Sequence, residues 1–319
     1  MRAPLAGASV LITGGASGIG KALALGAANR GAARIILWDI DEEAGGAVVD
    51  EIRSFGGRAE CCRVDLTDPE SVIEAGAQTL SAGRVDIVIN NAGIVTGKRF
   101  LELSEDDIAR TFDLNVLSLY RVVRQFLPGM IERKKGSIVT VASAAGLVGV
   151  SRQTDYSASK FAAIGFMESL RAELRHDGTP LHTLIVQPYY VNTGMFDGVR
   201  TRFPRLLPIL DVDDVADSIL DSMEAGRQSL VMPAFAATIK LMKVLPVPVL
   251  DTITDLFGVN GTMDGFVGRE GAGILGPAGQ PDMDPPEVVG DGETGPQRPP
   301  EDAEQENDPS SHSQHPGAA

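Results

Sequence analysis

Cysteine is nearly absent from this chain: two in 319 residues, side by side at Cys61 and Cys62. Adjacent strand positions face opposite sides of a sheet, so a disulfide between them would be strained. They are expected as small buried thiols of a strand. Histidine is scarce too. His176 and His182 flank a turn, and His312 and His315 lie near the C-terminus, so no metal-ligand cluster is expected. The most apolar stretch near the end of the chain, residues 233–250, is interrupted by Pro233, Pro246 and Pro248 and carries Lys240 and Lys243. It is therefore not expected to span a membrane. The start, Met1-Arg2-Ala3-Pro4, leads into a strand with no apolar signal-peptide core, which points to a reducing cytoplasm. A net charge of −15 argues against nucleic acid as a partner.

That charge is uneven. Residues 277–319 hold ten Asp and Glu, one Arg and nine of the 19 prolines, with few large apolar side chains. Such a segment cannot bury enough surface to offset its ordering entropy and reads as a disordered acidic tail. The rest, at a chain-wide hydrophobic content of 43%, has ample apolar material for a core. The expected division is a domain over 1–233, an apolar helical extension over 234–276, and the tail over 277–319.

Near the N-terminus, Ala8-Ser9-Val10-Leu11-Ile12 leads into Thr13-Gly14-Gly15-Ala16-Ser17-Gly18-Ile19-Gly20 and a helical pattern from Lys21 to Asn29. Strand, glycine-rich turn and helix together offer backbone N–H groups and a helix N-terminus to a pyrophosphate. Gly14 permits the turn, Gly18 the approach of phosphates, and Gly20 close helix–sheet packing. A second strand, Arg34 to Trp38, ends at Asp39, where a carboxylate can accept hydrogen bonds from the adenosine ribose hydroxyls. The plain alternative for Asp39 is a helix N-cap, a role for which Asp41 competes. Further on, apolar strands (Ala59–Asp65, Val85–Ile89, Ser137–Ser143, Leu181–Pro188, Ser229–Met232) alternate with helices, including a long one from Ile108 to Arg133 and one from Val212 to Ala225. Alternation of this kind predicts an α/β, doubly wound parallel sheet of Rossmann type with helices on both faces.

Tyr156 and Lys160 stand four apart in a helical pattern, so their side chains share one face. A phenol titrates near pH 10, too high for proton exchange with an alcohol at neutral pH. A nearby ammonium is expected to lower that value and make Tyr156 a general acid/base.

These features together resemble the short-chain dehydrogenase/reductase family over about residues 5–235. Thr13-Gly14-x-x-x-Gly18-Ile19-Gly20 is similar to its cofactor turn, and Asn90-Asn91-Ala92-Gly93 to the run that braces the sheet. Asn115 matches its catalytic Asn, and Ser143 stands 13 residues before Tyr156 as in the family. The resemblance implies Asn115, Ser143, Tyr156 and Lys160 as the catalytic group. Tyr156 would exchange the proton, Ser143 hold the substrate oxygen, Lys160 hold the nicotinamide ribose, and Asn115 hold a relay water. Around the cofactor it implies Ser17 and Ile19 in the turn, Asp65 and Leu66 at the adenine, Asn91, Ala92 and Gly93, and Val191 and Thr193 at the carboxamide. The plain alternatives are a strand-end Ser143 bonding local backbone and an Asn115 bonding helix backbone.

One departure concerns the run Pro188-Tyr189-Tyr190-Val191-Asn192-Thr193, in which Tyr189 replaces the family's glycine. Its ring is expected near the substrate, narrowing the cleft or offering a stacking surface. The extension is similar to that of the retinol and 17β-hydroxysteroid dehydrogenase-like branch. It reads as a lid, a subunit contact or an amphipathic surface lying on a membrane.

The resulting expectation is an oxidoreductase that prefers NAD over NADP, because Asp39 would repel a 2′-phosphate and no neighbouring cation offsets it. Its substrate would be a lipophilic alcohol or ketone. The resemblance also suggests a homodimer or homotetramer, cytoplasmic with peripheral membrane contact. The other reading is a non-catalytic dinucleotide-binding regulator, against which the intact catalytic group counts. A nucleotide-sugar epimerase shares the Tyr and Lys spacing but not the Asn-Asn-Ala-Gly run.

Overall fold

Segments of four to seven residues, most of them apolar, form the seven strands of one parallel sheet, ordered β3-β2-β1-β4-β5-β6-β7. The computed structural model describes residues 2–268. The expected tail at 277–319 and the end of the expected extension therefore lie outside the described residues. The strands are β1 (Ser9–Thr13), β2 (Arg34–Asp39), β3 (Ala59–Arg63), β4 (Ile87–Asn90), β5 (Ser137–Val141), β6 (His182–Pro188) and β7 (Ser229–Met232). Joining them are helices α1 (Gly18–Asn29), α2 (Glu42–Ser54), α3 (Pro69–Ser81), α4 (Glu105–Phe112), α5 (Ser118–Arg133), α6 (Thr154–His176) and α7 (Val212–Glu224).

Both faces of the sheet are covered, which is why its strands show no polar alternation. Val10, Ile12, Ile35 and Leu37 pack under α1, α2 and α7 with Leu23, Ile52, Ile219 and Leu220. Leu11, Ile36, Trp38 and Val88 point the other way, into a second core with Phe126, Met130, Met167 and Leu170 from α5 and α6. Trp38 lies 5.5 Å from Phe126, ring to ring, and its Nε1 donates to Thr79 Oγ1 at 3.2 Å. Strand order reverses between β1 and its neighbours β2 and β4, so the carboxyl ends there open a crevice, the usual ligand position in such sheets.

The expected helix from Ile108 to Arg133 is not continuous. It divides into α4, a π-helical turn (Asp113–Leu117) and α5. The hydrophobic period runs through both helices, and one widened turn leaves it almost unchanged. Cys61 and Cys62 are half-buried rather than buried, because β3 is the edge strand of the sheet. The Cys61 thiol faces Gly45 of α2, and burial pushes it up to about 11, with Asp39 adding to the shift.

After β7 the chain forms two short helices, α8 (Thr238–Met242) and α9 (Val247–Leu256), and a turn at Val259–Gly261. No helix among the described residues is long and apolar enough to cross a membrane.

Candidate active site

The crevice at the β1–β4 junction is built by the glycine turn. Ser17 stands at the N-cap of α1 and Ile19 packs against the core beneath it. Gly14 has φ +65°, and a methyl group at Gly20 would overlap the Gly14 carbonyl and lie 2.7 Å from Asn91 Nδ2. Neither position accepts a side chain without moving the turn. Thr13 and Asn91 lace this turn to the end of β4. Thr13 Oγ1 accepts from the N–H groups of Asn91 and Ala92 at 3.0 and 3.2 Å. Asn91 Nδ2 donates to the carbonyls of Thr13 and Gly14 at 3.1 and 3.0 Å.

Asp39 ends β2 beside the same turn and accepts from the Ala16 N–H at 2.9 Å and the Asp41 N–H at 3.1 Å. The N-cap role belongs to Asp41, which accepts from Ala44 N at 3.0 Å. Asp65 is held by Thr67, from N at 2.9 Å and Oγ1 at 2.6 Å, with Leu66 buried behind it. The glycine cradle, with a carboxylate at the end of the second strand, fits an adenine dinucleotide.

Tyr156 and Lys160 lie in the first two turns of α6, each about 5% exposed. Lys160 Nζ donates to Val141 O at 3.2 Å and stands 5.5 Å from the centroid of the Tyr156 ring. A methyl at Gly93 would lie 3.3 Å from Lys160 Nζ and 3.0 Å from Asn115 Oδ1, so these three residues converge. Burial pulls Lys160 down to about 8. Burial also dominates at Tyr156 and holds its phenol above the ordinary value, with a hydrogen bond from Ser143 pulling the other way. This is the reverse of the expected direction: loss of water governs the phenolate and Tyr190 adds to the shift, while the Lys160 amine is engaged with Val141 O.

Ser143 caps the turn after β5, its Oγ accepting from Ala145 N at 3.1 Å. The local-backbone role weighed for it thus exists beside its bond to Tyr156. Asn115 sits in the π-helical turn. Its amide pairs with the backbone of Ile94 in both directions, at 2.9 Å each, and donates to Ser159 Oγ at 3.0 Å. Its side chain is thereby committed to structure around Lys160. Val191 is buried and bridges to Leu210, and the Thr193 N–H bonds back to Val191 O at 2.9 Å.

Over Tyr156 lies an aromatic roof with little trace in the sequence. Phe196 meets the Tyr156 ring edge-on at 5.9 Å, Tyr190 lies 5.0 Å from Phe196, and Phe266 lies 6.5 Å from Phe196. Tyr189 lies behind, 4.6 Å from Tyr190. The residue singled out by its departure from the family is therefore farther along the ring chain than its neighbour Tyr190. Tyr190 Oη shares a 2.8 Å hydrogen bond with Thr262 Oγ1 and accepts from Gln153 Nε2 at 3.4 Å. Residues 262–267 of the extension are stitched onto the loop below them. Arg200 N donates to Thr262 O at 3.2 Å, and Val267 N to Asp197 O at 2.9 Å. Met263 is fully buried there. The Phe266 ring occupies the space a side chain at Gly97 would need. By contrast, α8, α9 and their connection leave Leu241, Val244 and Val247 68–78% exposed.

Residues 8–202 match the short chain dehydrogenase family. The chain is 40% identical over 277 residues to epidermal retinol dehydrogenase 2 of Mus musculus, covering 84% of this chain and 88% of that protein. It is 35% identical over 248 residues to 17-beta-hydroxysteroid dehydrogenase 13 of Homo sapiens, covering 77% and 81%. Among solved structures, it resembles a short chain dehydrogenase/reductase from Burkholderia phymatum in complex with NAD. The TM-score is 0.68 at 29% identity, over 76% of this chain and 94% of that one. With its doubly wound sheet, glycine cradle and paired Tyr156 and Lys160, the chain belongs to the short-chain dehydrogenase/reductase family of oxidoreductases.

Proposed function

We propose that this protein interconverts a lipophilic alcohol and its carbonyl compound, with Tyr156 as general acid/base and NAD preferred over NADP. One observation carries the reading: Tyr156, Ser143 and Lys160 converge beneath an apolar roof of Tyr190, Phe196 and Phe266. A polar substrate would lose hydration there with little return, whereas an apolar skeleton gains about 25 cal/mol for each Å² it buries.

Gly14, Gly18, Asp39, Asp65 and Gly93 would hold the nucleotide, which supplies or takes the hydride. In the direction of reduction, Tyr156 gives its phenol proton to the substrate oxygen. In oxidation it removes the alcohol proton. Ser143 donates to the same oxygen as charge develops, the logic of an oxyanion donor. Lys160, brought to about 8 by burial, can give or take a proton near neutral pH and so recharge Tyr156. The Asp39 carboxylate, held beside the glycine turn by the Ala16 N–H, supports the choice of NAD, because a 2′-phosphate there would meet a second anion.

The mouse and human relatives, by their names, act on retinol and on a 17-beta-hydroxysteroid. Both are rigid lipophilic alcohols of a kind the roof can cover. The exposed apolar side chains of α8 and α9, with Lys240 and Lys243 among them, support peripheral contact with a membrane surface. Exposed Leu117, Tyr120 and Phe161 on α6 and around the start of α5 support pairing with another copy of the chain. The test is a screen of NAD reduction over retinoids, steroids and medium- to long-chain secondary alcohols. Turnover confined to small polar alcohols would contradict the assigned substrate class.

A further inference from the structure

Asp155 immediately precedes Tyr156, is 3% exposed, and has no role in the chemistry above. Its Oδ2 accepts two hydroxyl hydrogen bonds, from Thr96 and from Thr111, each at 2.9 Å. Among the described residues, Oδ1 has no hydrogen-bond partner. Thr96 follows β4, and Thr111 is in α4. One helical turn further along, the same three segments meet again. Asn115 pairs with Ile94 of the post-β4 segment and donates to Ser159 of α6. Thr111 to Asn115 and Asp155 to Ser159 are both steps of four residues. The contacts thus form two stacked rungs, and the next residue after each rung on α6 is catalytic: Tyr156 after Asp155, Lys160 after Ser159.

We infer that Asp155 is the positioning residue for Tyr156, as Ser159 with Asn115 is for Lys160. The inference rests on the reading of Tyr156 as general acid/base. Two hydroxyl hydrogen bonds to one buried carboxyl oxygen define direction as well as distance. Two donors from different segments fix the first turn of α6 against rolling, which would swing the phenol away from Ser143 and the substrate oxygen. Displacements near 1 Å at a reacting group cost up to about 100-fold in rate. Losing the Asp155 rung should therefore lower kcat while leaving the Lys160 rung, and with it cofactor binding, in place.

The test compares Asp155→Ala, Asp155→Asn, Thr111→Val and Ser159→Ala with the unmodified protein. The readouts are kcat on the alcohol that turns over fastest in the screen, NADH affinity by fluorescence, and thermal midpoint. Asp155→Ala should lose roughly 10- to 100-fold in kcat with NADH affinity held within about twofold. Asp155→Asn retains one acceptor oxygen for both threonines and should recover most of that loss. Thr111→Val should lose kcat severalfold and add little in combination with Asp155→Ala, a non-additivity expected of shared partners. It carries the test even if Asp155→Ala does not fold. Ser159→Ala should weaken NADH binding. The inference is overturned if Asp155→Ala and Thr111→Val keep kcat within about twofold, if they weaken NADH binding as much as they lower kcat, or if Asp155→Asn is no better than Asp155→Ala. Tyr156→Phe, assayed in parallel, separates the two levels of the argument. An active Tyr156→Phe defeats the reading of the site, whereas an inactive one beside an unaffected Asp155→Ala defeats only the positioning role.

Discussion

The buried amine of Lys160 makes a measurable prediction about stability. Burial lowers its folded-state value from an ordinary 10.5 to about 8. Between those two values the unfolded chain binds a proton that the folded chain does not, so stability must rise with pH across that window. Below about pH 8 both states are protonated and the whole burial penalty is present. It amounts to about 3 kcal/mol for a shift of this size, at 1.36 kcal/mol for each pKa unit. By pH 9 about 1 kcal/mol of it should be relieved. Lys160→Met removes the titration. The variant, free of cofactor, should be more stable than the unmodified protein at pH 7, and its lead should shrink by about 1 kcal/mol at pH 9, roughly 2–4 °C in thermal midpoint. Cys61 and Tyr156, both held above their ordinary values by burial, act with the opposite sign, losing stability as pH rises through about 9 and 10. They are common to both proteins, so the difference between them isolates Lys160. A lead that stays constant from pH 7 to pH 9, or a variant less stable at pH 7, would refute the account of a desolvated ammonium.

Two further outcomes follow from particular contacts. Asp39→Ala should narrow the preference for NAD over NADP by at least about tenfold in kcat/KM, because it removes the facing anion. Equal use of the two cofactors by the unmodified protein would count against that role. Phe266→Ala should raise KM for bulky apolar substrates by about 10-fold or more while changing kcat for a short secondary alcohol little, since only a large skeleton reaches the roof. An equal effect on both substrates would mean that Phe266 supports the fold and not substrate choice.

The fold and the shared helix of Tyr156 and Lys160 were legible in the sequence for the same physical reason: both depend on short-range patterns. Strands covered on both faces become continuous apolar runs, and a phenol and an ammonium four residues apart share a helix face wherever that helix packs. The π-helical turn at Asp113–Leu117 was not legible, because a single widened turn hardly disturbs the hydrophobic period. Nor was the outcome at Tyr156. Whether a neighbouring cation or the loss of water governs a phenol depends on burial, which the spacing of residues 156 and 160 does not reveal. The roof joins residues 190, 196, 262 and 266 to Tyr156 across up to 110 positions, and the two-rung ladder joins three segments through threonine and serine hydroxyls. Contacts of that kind leave no periodic trace. Only Tyr189 hinted at the roof, and it is its neighbour Tyr190 that packs against Phe196 over the site.

The central claim is that Tyr156 carries the proton for hydride transfer to or from a lipophilic alcohol. Its most direct test is steady-state turnover of Tyr156→Phe beside the unmodified protein, with NAD and the fastest retinoid, steroid or secondary alcohol, and with NADH affinity measured on both. The account predicts at least about a 1,000-fold loss of kcat with NADH affinity unchanged within about twofold, because only the exchangeable proton has been removed. A variant that keeps more than a few per cent of kcat would contradict it.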